Sequence, residues 1–327
     1  MLRYLKENNL FSLFVLMAAT MLLRVYPAIH DYHFQFNTNA PLSVLLFNAL
    51  KQIENYDLIS NLLATVIVFL QALLVNLIAR QHQILYKHSY LPGLMFVIFN
   101  SIYKEQLYFT PQLLSNTFLI FLVYRLCFLY EHKNAILPVF DSGAMLGIAL
   151  LFNYDLIVML PFILLSVITL TRFKIRYIFV SIIGIITPLY FLAGLFYLFN
   201  YFDLFIETVL QSFYKTYFKA FSIKLLPNLS FLIIAPVTLL GYLGIQQNFF
   251  KNNVKTRRLI IMLILMVAFS VLTLFIEDDF FGLSLCYASI PLSYFMAYFF
   301  LGSKRTVLKE ILIWIIIALV ITTHFIS

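Results

Sequence analysis

The feature that most constrains this chain is a series of long apolar segments with almost no charge inside them. Nine approach the roughly 20 residues that a helix needs to cross a bilayer. They lie at about residues 10–28, 58–79, 110–130, 155–171, 177–199, 227–246, 258–276, 281–301 and 308–326. Of the chain, 63% is hydrophobic and 11% charged, whereas soluble domains carry about 25% charged residues. We therefore expect an all-α, polytopic integral membrane protein.

Two further apolar stretches, at about 90–103 and 142–153, are shorter than a normal span. Each is either a tilted span or a re-entrant hairpin. Counting both gives about eleven transmembrane helices, and counting neither gives nine. Everything after residue 155 keeps its orientation in both arrangements, because the parity changes twice.

The loop charges predict the orientation, since cytoplasmic loops hold an excess of Lys and Arg. With eleven spans, most of the 22 basic residues fall on the side of the N-terminus, and most of the 14 acidic residues fall on the other side. We therefore expect an uncleaved first span, a cytoplasmic N-terminus and a place in the bacterial inner membrane. The net charge of +8 does not indicate nucleic-acid binding, because the basic residues form no continuous face.

Two predicted outer loops are longer than the others, at 29–57 and 200–226. In both, apolar residues recur at helical spacing between polar ones, which is typical of a helix lying in the membrane interface. No polar stretch is long enough for a soluble domain. The sequence therefore predicts one transmembrane domain over residues 1–327.

The first outer loop and the end of the preceding span hold the strongest candidates for chemistry: Arg24, His30, Asp31 and His33. Ionisable groups near the apolar zone are costly and often functional. Asp31 has the chemistry of a general base or a ligand of a metal phosphate, and a solvated loop is the alternative. Arg24 is either a substrate contact or a snorkelling anchor. The histidines lack the ordered spacing of known zinc sites, so the metal ligands are left open.

Further acidic and basic residues fall on the same predicted side, where a cavity could gather them with Asp31 and His33. These candidate substrate contacts are Glu54, Asp57, Lys104, Glu105 and Asp155. Taken one at a time, each is also explained as a solvated loop residue or, for Asp155, as a carboxylate that complements a helix dipole. The sequence has no glycine-rich phosphate loop and no nucleophile elbow.

Two segments resemble the C-type (GT-C) membrane glycosyltransferases, which use polyprenyl-phosphate-linked sugars. The first is RVYPAIHD, from Arg24 to Asp31, followed by PLSVLLFNALKQI. The second begins at SGAMLGIALLFNYD and continues through a basic turn into a long helix that contains a proline. The pattern covers about two thirds of the chain, but it lacks the paired acids of the first loop and the C-terminal soluble domain found in many members. The chain also resembles a multi-span membrane family of Bacteroidota, which implies no activity.

The resemblance implies that Asp31 deprotonates the acceptor or helps to hold a divalent cation against the donor phosphate. It implies that Arg24 or Lys104 offsets phosphate charge and that grooves between helices admit the prenyl chain of the donor. The expected partners are membrane lipid and a polyprenyl-phosphate sugar donor, with transfer at the outer face. Two alternatives are a non-catalytic subunit of an envelope export complex, which would have protein partners, and a lipid or solute transporter.

Overall fold

The computed structural model describes residues 10–26, 40–50, 52, 56–130, 135–171, 174–215, 229–273, 281–302 and 306–326, and every element in these ranges is helical. The α-helices are α1 (Leu10–Leu23), α2 (Pro41–Leu50), α3 (Tyr56–Gln81), α4 (Leu91–Phe99), α5 (Pro111–Phe128), α6 (Ile136–Phe152), α7 (Met159–Leu170), α8 (Ile175–Leu198), α9 (Phe202–Lys215), α10 (Leu229–Gln247), α11 (Val254–Thr273), α12 (Phe281–Leu301) and α13 (Thr306–Ile326). Short 3₁₀-helices lie at Lys104–Leu107, Tyr154–Val158 and Phe249–Lys251.

The chain is a helical membrane protein, as its apolar segments predict. Within the described ranges, five helical segments are long and apolar enough to cross a bilayer. They are Ile59–Gln81, Pro111–Phe128, Ile175–Leu198, Val254–Thr273 and Val307–His324. Each of the other predicted segments contains an apolar helix whose stretch with described side chains is at most 17 residues long. The total of eleven spans stays a prediction.

The predicted short stretch at 142–153 is part of a longer helix. Helix α6 has 17 residues, which corresponds to about 25 Å of helix. It begins six residues before the predicted stretch and includes Asp141, whose Oδ2 lies 3.5 Å from Nε of Arg125 on α5. The charge of Asp141 interrupts the apolar run in the sequence, but the helix continues through this residue, which pairs with Arg125.

Helix α4, in the other short stretch, is enclosed by its neighbours. All nine of its residues are buried, and it packs against α3 and α12. The backbone N–H of Gly93 donates to Oδ1 of Asn76 at 2.7 Å, and a Cβ on Gly93 would overlap the Asn76 side chain. At about 1.5 Å per residue α4 is too short to cross a bilayer alone. It is a buried strut inside the bundle.

Helices α6 and α8 approach each other closely. Gly143 and Gly147 lie one turn apart on α6 and face the backbone of Ser181 and Ile185, while Gly184 on α8 faces the backbone of Phe140. A Cβ at any of the three glycines would overlap a carbonyl oxygen of the other helix. Small residues at this spacing let membrane helices approach closely, because lipid tails supply little hydrophobic drive for association.

Helices do form in both long predicted outer loops, as α2 and α9. They flank a small apolar cluster in which Leu42 of α2 and Phe205 of α9 pack against Leu151, Leu192 and Phe196. The two helices therefore cover the same ends of α6 and α8. Their place in the membrane interface stays a prediction.

Candidate functional site

The described residues include only some of the predicted site. Asp31, His33 and Glu54 lie outside them, and Asp57 is described in its backbone alone, in the first turn of α3. Arg24, Lys104, Glu105 and Asp155 are described with their side chains. The contacts of these four residues follow in turn.

Arg24 is buried, with 2% of its surface exposed, directly after α1. Its guanidinium donates from Nη1 to the carbonyl of Asn100 at 3.0 Å, and from Nη2 to the carbonyls of Gln106 and Leu107 at 2.9 and 2.7 Å. Hydrogen bonds from a charged donor are stronger than neutral ones. Arg24 therefore ties the end of α1 to the segment that follows α4.

Asn100 ends α4 and joins this segment to α12. Its Nδ2 donates to Oγ of Ser289 at 2.9 Å, and the thiol of Cys286 donates to its Oδ1 at 2.9 Å. All three residues are buried. A polar side chain in the bundle is stable here because both ends of its amide are bonded.

Lys104 lies at the rim of the same region. Its Nζ donates to the hydroxyl of Tyr26 at 3.2 Å and lies 4.8 Å from the centre of the Tyr26 ring. The Tyr26 ring is in turn 6.1 Å from the ring of His324, near the end of α13. We call Arg24, Tyr26, Asn100, Lys104 and His324 the Arg24 cluster. It joins the ends of α1, α4 and α13.

Glu105 follows Lys104 in the 3₁₀-helix and is partly buried. Burial raises the pKa of its carboxyl group above the ordinary value of 4.5, while Lys104 opposes that shift. A carboxyl group with a raised pKa can exchange a proton closer to neutral pH, as general acids and bases require. Glu105 therefore holds its proton more tightly than a solvated glutamate does.

Asp155 lies beside a second set of hydrogen-bonded polar residues, which also contacts α12. Its backbone N–H donates to Oδ1 of Asn153 at 3.1 Å, and Nδ2 of Asn153 donates to the Tyr287 hydroxyl at 2.7 Å. Tyr287 is the residue after Cys286, so the first half of α12 contacts both polar groups. Asp155 lies in the first turn of its 3₁₀-helix, where a carboxylate complements the helix dipole.

No group of three or more His, Cys, Asp or Glu side chains that could hold a metal ion occurs among the residues described. The prediction of a divalent cation depended on Asp31, which lies outside those residues. The donor set of a metal site therefore stays open.

A large cavity lies at the opposite end of the bundle, where the sequence predicted no site. Its volume is about 1030 Å³, and it lies between the loop after α3, the loop between α10 and α11, and the junction of α12 with α13. Its lining is mostly polar and includes Lys251 and Lys309. The run Gln246–Asn253, which has five amide side chains and one lysine, was the signal in the sequence.

Comparison with known proteins gives a family. The sequence profile described as "Family of unknown function (DUF6427)" matches residues 39–327, which is most of the chain. No curated protein matches the sequence.

Proposed function

Because the chain belongs to DUF6427, a family whose description gives no function, we propose an activity from its own residues. The protein transfers a sugar from a polyprenyl-phosphate donor to an acceptor at the outer face of the inner membrane. The single observation that carries this proposal is the position of Lys104, whose ammonium contacts Tyr26 five residues before Asp31 in the chain. A cation at the start of the Asp31 loop suits a phosphate-linked substrate.

The proposed reaction needs one base and one stabilised leaving group. The carboxylate of Asp31 takes the proton of the acceptor hydroxyl, and the acceptor oxygen forms a bond to the anomeric carbon of the sugar. The bond between that carbon and the phosphate oxygen breaks, and polyprenyl phosphate leaves with the electron pair. Lys104 offsets the negative charge that develops on the phosphate.

The order of helices supports the proposal. Helix α1 ends beside Arg24, and α2 occupies the stretch that resembles the interfacial helix of C-type glycosyltransferases. Helices α6, α7 and α8 follow the order of the second resembling segment, and α8 contains Pro188.

Arg24 contributes to this site by positioning. Three of its N–H groups already donate to backbone carbonyls, so its charge holds the segment of Lys104 and Glu105 in place. In this proposal Lys104, at the rim, faces the donor phosphate. Arg24 as a direct substrate contact stays a prediction from the resemblance.

The test is sugar transfer in proteoliposomes that contain the purified full chain. Donors are polyprenyl-phosphate-linked mannose and aminoarabinose with a radiolabelled sugar, an extract of cell-envelope lipids and proteins supplies the acceptor, and the readout is label released from the donor onto that acceptor. We expect Asp31→Asn to abolish release and Lys104→Gln to reduce it about 100-fold, as removal of one stabilising group does in other enzymes. Expression of both variants should equal that of the unmodified chain.

Asp203→Asn is the matched control, because Asp203 is an exposed acid on α9 at the same predicted side. It should release label at the unmodified rate. Full activity in Asp31→Asn would disprove the proposed base. A chain that consumes neither donor but purifies with stable envelope proteins would instead support the non-catalytic subunit.

A further inference from the structure

The large cavity at the end opposite the Arg24 cluster has the size of a ligand site. Ligand pockets typically enclose about 300 to 1,000 Å³, and this cavity has about 1030 Å³. Its walls come from four helices and two loops, so it depends on the assembled bundle rather than on one segment.

The charge of the lining has one sign. Lys251 and Lys309 line the cavity, and none of its described lining residues is Asp or Glu. Asn252 and Asn253 directly follow Lys251 in the chain and line the same cavity. Cations together with neutral N–H donors are the groups that bind phosphate oxygens.

Several lining residues are held in fixed positions. The Lys309 ammonium donates to the carbonyls of Phe299 and Gly302 at the end of α12, and Nδ2 of Asn248 donates to the Tyr298 hydroxyl at 3.1 Å. The Tyr298 ring packs edge-on against Tyr86, with 5.5 Å between centres. Gln83 has a φ of 50°, a backbone conformation that is uncommon outside glycine and recurs at ligand sites. The cavity is therefore preorganised.

The cavity also reaches the outside of the bundle. Leu240 of α10 lines it and is 52% exposed, on a helix side that also exposes Leu239 and Leu243. In a bilayer this side of α10 contacts acyl chains. A lipid could therefore place its headgroup in the cavity while its chains follow α10.

We propose that this cavity binds a phosphate-bearing group, supplied either by the headgroup of a membrane lipid or by a soluble phosphate ester. The phosphate contacts Lys251 and the amides of Asn252 and Asn253, and Lys309 adds a fixed positive charge. The site uses no residue of the proposed sugar-transfer reaction, so either proposal can fail without the other.

The test is ligand binding to the purified full chain in detergent, measured by native mass spectrometry. The probes are phosphatidic acid, glycerol 3-phosphate, which has the same headgroup without acyl chains, and dioleoylglycerol, which has the chains without phosphate. We expect phosphatidic acid to bind and dioleoylglycerol not to bind. Binding of glycerol 3-phosphate as well identifies a soluble ester as sufficient, and its failure identifies a lipid; both results support the phosphate site.

Two variants test the contacts. Lys251→Gln removes an exposed cation of the lining, and Asn253→Asp adds a negative charge while keeping a residue type that is equally suited to precede a helix. Each should weaken phosphatidic acid binding about tenfold, the effect of losing or opposing one charged contact. Lys174→Gln, an exposed lysine outside the lining, is the matched control and should bind normally.

Equal binding of phosphatidic acid and dioleoylglycerol would overturn the proposal, because the cavity would then select acyl chains rather than phosphate. Unchanged binding in both Lys251→Gln and Asn253→Asp would also overturn it, since the lipid would then be bound elsewhere. Both variants alter exposed or loop positions, and their thermal unfolding should match that of the unmodified chain.

Discussion

At the Arg24 end of the bundle, polar side chains are bonded to backbone carbonyls and to one another, whereas at the Lys251 end they surround a cavity of about 1030 Å³. The Arg24 guanidinium donates to three backbone carbonyls, whereas the side chain of Lys251 is exposed. The first arrangement fixes helix ends, because each bond joins segments that are far apart in sequence. The second leaves room for a molecule. A charged residue near a membrane therefore indicates function only after its partners are known.

The largest expected effect would come from breaking the bonded end. Arg24→Met leaves the buried carbonyls of Asn100, Gln106 and Leu107 without their donor. Each unsatisfied group costs about 1 to 3 kcal/mol, so the variant should lose about 3 kcal/mol or more of folding free energy. Thermal unfolding of the detergent-solubilised chain measures the loss.

Arg176→Met is the matched control, because Arg176 is exposed at the start of α8. Its stability should change by no more than about 0.5 kcal/mol. Equal stability of the two variants would contradict the view that Arg24 holds the bundle end together.

The second prediction tests the close packing of α6 against α8. Gly184→Ala places a Cβ against the carbonyl oxygen of Phe140 on α6, and overpacking of this kind costs about 1 to 3 kcal/mol. Gly194→Ala, on the same helix, meets no atom within 4 Å, and alanine is the better helix former by up to about 1 kcal/mol. The two substitutions should therefore shift the unfolding midpoint in opposite directions. A shift of the same sign and size would contradict the close α6 and α8 contact.

The smallest effect concerns Glu105 and depends on pH. Because burial raises the pKa of Glu105, the folded chain binds this proton more tightly than the unfolded chain. The stabilisation is complete below about pH 4.5 and is lost as the pH rises through the raised value. Glu105→Gln should then unfold at a higher temperature than the unmodified chain at pH 8, by about 2 °C or less, and lose this advantage at pH 4.5. An advantage that is largest in acid would contradict the sign.

The helical fold could be predicted from the sequence, because an apolar run of about 20 residues has few alternatives. The start of α6 could not, since Asp141 ended the apolar run and its partner Arg125 lies on another helix. The role of Arg24 could not be predicted either. Whether Arg24 is a snorkelling anchor or a buried link between segments depends on carbonyls 76 to 83 residues away along the chain.

The candidate site could be predicted less well than the fold. Asp155 was expected at a helix start and lies in the first turn of a helix. Lys104 and Glu105 were named as residues, but the contact of Lys104 with Tyr26 follows from the three-dimensional arrangement of α1 and α4. The cavity was missed because its cations lie in two separate segments, and each segment alone has the composition of an ordinary positively charged loop.

The buried strut α4 has a consequence for how the protein is made. Its partners on α12 are synthesised late: Asn100 bonds to Ser289, 189 residues downstream, and Val75 of the adjoining α3 accepts from Tyr294, 219 residues downstream. At about 5 to 20 residues per second, a ribosome needs about 10 to 40 s to cover the first of these distances. During that time α4 has only part of its final enclosure, and Asn100 lacks both of its α12 partners. Insertion of α12 between the earlier helices is therefore the step that completes the centre of the molecule, and a chain stopped before residue 281 would leave that centre open to lipid.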